Sequence, residues 1–148
     1  MTEILFYHLA GQRLEQVLPQ LLEKSLERGW NALVRAGSEE RLGALDEALW
    51  TYSEQSFLPH GREEDGEPEH QPILLSTKDT RVNEPGVIFL IDRAKLPAEY
   101  DVERVVLMFD GDDPEALDEA RAAWKAVKGL GHPATYWQQE GGRWVKKA

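Results

Sequence analysis

Apolar positions along this chain fall into two alternating patterns, short continuous runs and stripes at helical spacing. Residues 3–9, EILFYHL, form a short apolar run and read as a strand. Residues 12–29 place Leu14, Val17, Leu18, Leu21, Leu22, Ser25 and Leu26 at helical spacing, with Gly29 as a stop. Pro19 sits awkwardly there: either the stable helix starts near it or the helix bends. NALVRAG (31–37) is a second strand. Residues 38–50 are a helix that Ser38 can cap, with Leu42, Leu45 and Leu49 on one face. Residues 61–71 hold five acids with glycine and proline, and predict an exposed, mobile loop. PILLST (72–77), GVIFLID (86–92) and RVVLMFD (104–110) read as buried strands. Residues 113–129 are a helix with Asp113 as cap and Pro114 at its first position. The end, ATYWQQ and RWVKK around Glu140-Gly141-Gly142, predicts a hairpin or an extended tail.

Strands that alternate with helices in this way predict a three-layer α/β/α domain around a mostly parallel sheet, with a nucleotide-binding-like, Rossmann-like topology. At 148 residues the chain is expected to be a single domain, residues 1–148, with a real core. Its 41% hydrophobic content and five tryptophans point to a globular protein. No apolar run approaches the ~20 residues of a membrane span. The N-terminus has no basic n-region and no small-residue cleavage pattern, so no signal peptide is expected and the cytoplasm of a bacterium fits. With no cysteine there is no disulfide, thiolate nucleophile or zinc–thiolate site. The net charge of −10 repels phosphate backbones unless a local basic patch exists.

The fold class invites a nucleotide, but the phosphate-binding devices are missing. HLAGQRLEQ after the first strand holds one glycine, not G-x-G-x-x-G, and no G-x-x-x-x-G-K-[ST] occurs. GLGHPA (129–134) follows a helix and reads as its stop. The best catalytic candidate is FDGDDP (109–114), which sets Asp110 and Asp112 at the end of an apolar strand. Two carboxylates there suit Mg²⁺ in a phosphotransfer or hydrolase domain. The competing and preferred reading is that Asp112 and Asp113 cap the next helix. His8, His60, His70 and His132 form no ligand spacing, and no G-x-S-x-G is present, so no cofactor or metal is expected.

A helical projection of 113–129 at ~100° per residue gathers Ala116, Ala120, Ala123 and Val127 in a narrow arc. Beside it lie Trp124, Leu117, Lys128, Arg121 and Lys125, in that angular order. Asp118 comes just beyond Lys125, and Glu119 lies across the apolar arc. This is either an ordinary solvated face with Trp124 at the core margin, or a small site for an acidic peptide. In the second case Trp124 and Leu117 take an apolar anchor and the planar fork of Arg121 grips a carboxylate. Trp50, Phe57, Leu58 and Pro59 likewise either plug the end of the sheet or form an apolar patch that a partner covers. Direct single-stranded-DNA binding through Lys125, Lys128, Lys146 and Lys147 is a further option that the net charge disfavours.

LDEALW, followed by SFLPHG, an acidic glycine-containing loop and QPILLS, resembles the chi subunit of bacterial DNA polymerase III holoenzyme. The resemblance extends to the opening FYHL and the ERGW before the second strand, and covers essentially the whole chain. It implies a nucleotide-binding-like fold without nucleotide chemistry, and an accessory protein that is not an enzyme. It implies association with the clamp-loader complex, usually through the psi subunit. It also implies binding of the acidic C-terminal tail of single-stranded-DNA-binding protein, so that nucleic acid is contacted indirectly. Arg121, Trp124 and Lys125 resemble family positions that contact that tail. Leu117 stands where better-known members carry lysine, and Lys128 can compensate. Trp50 and Phe57, with Leu58 and Pro59 beside them, resemble the surface that receives psi or, in some members, a repair helicase.

Overall fold

The computed structural model describes residues 2–51 and 58–148. The expectations on Phe57 lie outside the described residues. In chain order the elements are β1 (Glu3–Leu9), α1 (Leu14–Glu27), β2 (Ala32–Arg35), α2 (Glu39–Trp50), β3 (His60–Arg62), β4 (Ile73–Ser76), β5 (Val87–Leu90), β6 (Arg104–Asp110), α3 (Pro114–Gly129), β7 (Ala134–Glu140) and β8 (Arg143–Lys146). The described strands form one sheet in the order β3-β4-β2-β5-β6-β1-β7-β8. Every neighbouring pair is parallel except β7–β8, which is an antiparallel hairpin and not an extended tail. The three-layer α/β fold expected from the strand–helix alternation is thus the fold of this chain.

Two hydrophobic clusters lie on opposite faces of the sheet because successive strand residues point opposite ways. In β1, Leu5 and Leu9 join α1 and α2, while Ile4 and Phe6 join α3. Burial on both faces is why β4, β5 and β6 read as continuous apolar runs. Leu18, Leu22 and Leu45 are fully buried, each worth about 1.5–3 kcal/mol relative to exposure. Among the described residues, no helix is long and apolar enough to cross a membrane.

Local chemistry sets the helix ends. Ser38 Oγ accepts from the Arg41 N–H at the start of α2 and donates to Asp92 Oδ2 at 2.7 Å. Asp113 Oδ1 accepts from the N–H groups of Glu115 and Ala116, and Pro114 opens α3. The Gln16 side chain accepts from the Arg13 N–H at the start of α1. α1 runs continuously through Pro19, which is buried, so the proline neither delays nor ends it. The ring removes one backbone donor, and burial of the surrounding leucines outweighs that loss.

The acidic segment after Gly61 differs from a plain loop. His60–Arg62 pairs with β4 as the edge strand of the sheet, and short 3₁₀ turns follow at Glu63–Asp65 and Pro68–His70. Glu63 is held by a neighbour distant in sequence, and Glu64 and Asp65 by Arg62 beside them. Glu63 accepts from Ser76 Oγ, and Arg62 lies between Glu39 and Glu64 at 3.0 and 2.8 Å. Composition alone does not show the Ser76 and Glu39 contacts, because those partners come from β4 and α2.

Candidate partner-binding surface on helix α3

β6 delivers the chain to α3, which crosses the sheet face and leads into β7. Ala116, Ala120 and Val127 are buried and Ala123 is partly buried, so the small residues let α3 lie close on the sheet. The flank beside them carries the residues that the helical projection grouped. Trp124 packs edge-on against Phe6 with ring centroids 5.3 Å apart, and against Tyr136 at 6.0 Å. Lys128 Nζ stands 5.4 Å from the Trp124 ring centroid, in cation–π range. Leu117 is partly buried against the same cluster.

Arg121 and Lys125 point outward. The Arg121 side chain is 68% exposed, and its nearest carboxylate is Asp118 at 3.9 Å. Neither Lys125 nor Lys128 has a carboxylate within ion-pair distance among the described residues. The site therefore has a half-buried indole, a leucine beside it and three cations along its rim. Such a surface suits an anionic group joined to an apolar side chain.

Sequence reasoning missed His8 and Tyr136, which complete the floor. His8 Nδ1 lies 2.8 Å from Tyr136 Oη, and the His8 ring sits against Phe109 at 5.3 Å. Burial holds the His8 pKa below its ordinary value; Asp112 and Asp110 pull it up, and Arg121 pushes it down. Burial likewise raises the Tyr136 pKa, with Arg121 opposing. Gly111 is required there, since a Cβ would sit 1.8 Å from His8 Nε2. No local signal pairs residues 8 and 136; parallel pairing of β1 with β7 brings them together.

Asp110 and Asp112 lie at the C-terminal ends of β1 and β6, beside a cavity of about 840 Å³ that also meets Gln12, Arg41 and Asp92. Asp110 Oδ1 accepts the Asp112 N–H at 2.9 Å, while Asp113 caps α3. Of the two acids expected to cap, Asp113 does so and Asp112 does not. No group of three or more His, Asp or Glu among the described residues is arranged to hold a metal ion.

The other candidate surface divides. Trp50, at the end of α2, is 58% exposed and its ring lies 4.6 Å from that of His60. Pro59 is half-buried. Leu58, expected at a partner surface, is only 3% exposed and belongs to the core under α1 and α2. Its burial in that core anchors the chain entering β3. His60 is also buried, with Nδ1 2.7 Å from the Leu58 carbonyl and Nε2 3.0 Å from Asp46.

Residues 1–135 match the family model described as DNA polymerase III chi subunit, HolC. A protein of Rickettsia prowazekii (strain Madrid E), "Probable DNA polymerase III subunit chi", is 24% identical over 109 residues. That alignment covers 74% of this chain and 66% of the relative, so the chain spans just under two thirds of its length. Among the described residues the three helices and β1 to β7 all begin inside the matched span, and this chain belongs to the DNA polymerase III chi subunit family.

Proposed function

We propose that this chain is a non-catalytic accessory subunit that links the DNA polymerase III clamp-loader complex to single-stranded-DNA-binding protein. It does so by holding the acidic C-terminal tail of that protein. The observation that carries this reading is the seam of Arg121, Lys125 and Lys128 around Trp124 on a chain of net charge −10. The tail's terminal carboxylate meets Arg121, and its last apolar side chain lies on Trp124 and Leu117. Lys125 and Lys128 attract the acids upstream. Trp50 and Pro59, with Phe57 nearby in sequence, form the second contact, for psi, for the clamp-loader complex itself or for a repair helicase.

The mechanism is bivalent tethering. A micromolar tail contact is worth about −8 kcal/mol, and it becomes effective when many tails line one DNA strand. Ion pairing makes that contact weaken as salt rises.

The test is a fluorescence titration with a labelled acidic peptide ending in Ile-Pro-Phe, carrying a free or an amidated C-terminus. Salt-sensitive binding of the free acid, weakened by amidation and by Arg121→Ala, supports the tail site. Equal binding of both forms, or binding untouched by Arg121→Ala in a folded protein, removes it.

A further inference from the structure

On the opposite face of the sheet, toward its other end, lies a second cluster of cations and aromatic rings that the proposed tail site does not use. Trp30 follows α1 and is clamped against the backbone, since a Cβ on Gly86 would stand 2.6 Å from its Cγ. The guanidinium carbons of Arg28 and Arg104 lie 5.1 and 5.3 Å from the Trp30 ring centroid. With Lys24 they border a cavity of about 490 Å³ floored by Tyr7 and Phe89. Burial raises the Tyr7 pKa, so its hydroxyl remains a donor.

Tyr7 links this cavity to the hairpin. Its ring meets that of Trp144 edge-on at 4.8 Å. Trp144 and Trp137 lie on the same face as Tyr7, and Lys146 stands opposite Trp137 in the β7–β8 register. The Trp137 indole N–H donates to Thr135 Oγ1, and its ring is half-buried at the margin of the core on this face. Tyr7, Lys24, Arg28, Trp30 and Arg104 lie within the residues matched to the family model, and Trp137, Trp144 and Lys146 follow them on the closing hairpin.

We propose that this face binds single-stranded nucleic acid directly, independently of the tail site. Trp144 and Trp137 supply rings for bases to stack on, while Arg28, Lys24 and Lys146 meet phosphates. Arg104 is partly neutralised by Glu3 at 2.9 Å, and Glu27 also borders the cavity, so the contact is weak and salt-dependent. Cations interleaved with rings fit a chain of phosphates and planar bases better than an acidic peptide, which needs charge but no row of rings. The field of the remaining acids restricts such binding to this face.

The experiment is fluorescence anisotropy of the full chain with labelled oligothymidylate of about fifteen nucleotides, across a salt series. The expected result is binding at low salt whose logarithm falls with log salt at a slope of about −2, for three cations on a single strand. Trp144→Ala weakens it about tenfold. The double variant Lys24→Gln, Arg28→Gln weakens it similarly and flattens the slope by about one or more. Arg121→Ala leaves it unchanged. Should Trp144→Ala fail to fold, the exposed-cation variant decides alone. No binding at low salt, equal affinity in the double variant, or tighter binding of duplex overturns the proposal. Displacement of the oligonucleotide by poly-glutamate at matched charge also overturns it and assigns the face to an acidic protein segment.

Discussion

On one flank of α3, Glu119 and Glu115 are bound to Arg93, which reaches across from the turn after β5. On the other flank Lys125 and Lys128 have no carboxylate in ion-pair range among the described residues, and Arg121 has only Asp118 at 3.9 Å. The two flanks belong to one helix and carry charges of opposite sign. The acids are satisfied within the fold, and hydrogen bonds from Arg93 hold the Glu119 pKa below its ordinary value. The cations are left facing solvent in a protein whose total charge is strongly negative. Charges tied inside the molecule fix how elements sit, whereas charges left untied beside an indole are available to a ligand. The large apolar residues divide the same way: Leu58 fills the core while Trp50, a few residues before it, stays exposed.

The largest expected effect comes from the untied flank. Arg121→Ala should cost about 1–3 kcal/mol of tail affinity, because it removes a charge-assisted contact, with little change in melting temperature. Calorimetric titration beside a thermal melt separates the two. A loss of stability equal to the loss of affinity would place Arg121 among the tied charges and break the comparison.

A tied pair should behave oppositely. Burial alone would raise the Asp79 pKa, but hydrogen bonds from Arg81 and from the Ala98 N–H outweigh it and hold the carboxyl below its usual 3.8. The unfolded chain therefore takes up this proton first as pH falls. The stabilisation is fully present above about pH 3.8 and is lost as pH falls through the lower folded value. Asp79→Asn should lower stability near neutral pH by about 1–3 kcal/mol and leave tail affinity alone. Urea melts from pH 7 down to pH 3 should show the gap between variant and parent closing in acid.

Trp50→Ala should weaken capture of the clamp-loader complex or helicase in a pull-down while sparing the tail, because its ring is mostly exposed. Loss of the fold in that variant would make Trp50 a core residue after all. The smallest effect belongs to Arg93→Ala, an exposed ion-pair network: a slight drop in melting temperature and an unchanged tail affinity. A clear rise in tail affinity would show that Arg93 restrains α3, which would sharpen the contrast between its flanks.

Much of the fold was legible because it rests on local periodicity. The strand at 104–110 and the caps Ser38 and Asp113 were readable residue by residue, since a cap's partner lies two or three positions away. Half of the proposed tail surface could be grouped for the same reason, as Leu117, Arg121, Trp124, Lys125 and Lys128 share one helix. Its floor was not, because His8 and Tyr136 are 128 residues apart and meet only through strand order. Asn83 makes the same point. It lies between β4 and β5, is 1% exposed, and its Nδ2 donates to the carbonyls of Ala32 and Gln71. An amide spends its hydrogen bonds on whichever backbone the fold brings near, and nothing in its neighbours along the chain names them.

By itself the sequence determined which stretches become strand or helix, where helices start and stop, and which residues ride together on α3. These depend on interactions over a few residues. Tertiary structure alone decided that His60–Arg62 joins the sheet edge, that Leu58 turns inward while Trp50 does not, and that Glu115 and Glu119 are neutralised while Arg121 is not. It also placed Trp30, Tyr7 and Trp144 on one face. Those outcomes depend on desolvation and on charges brought together through space, and both follow from the packing of the sheet and not from the order of residues along the chain.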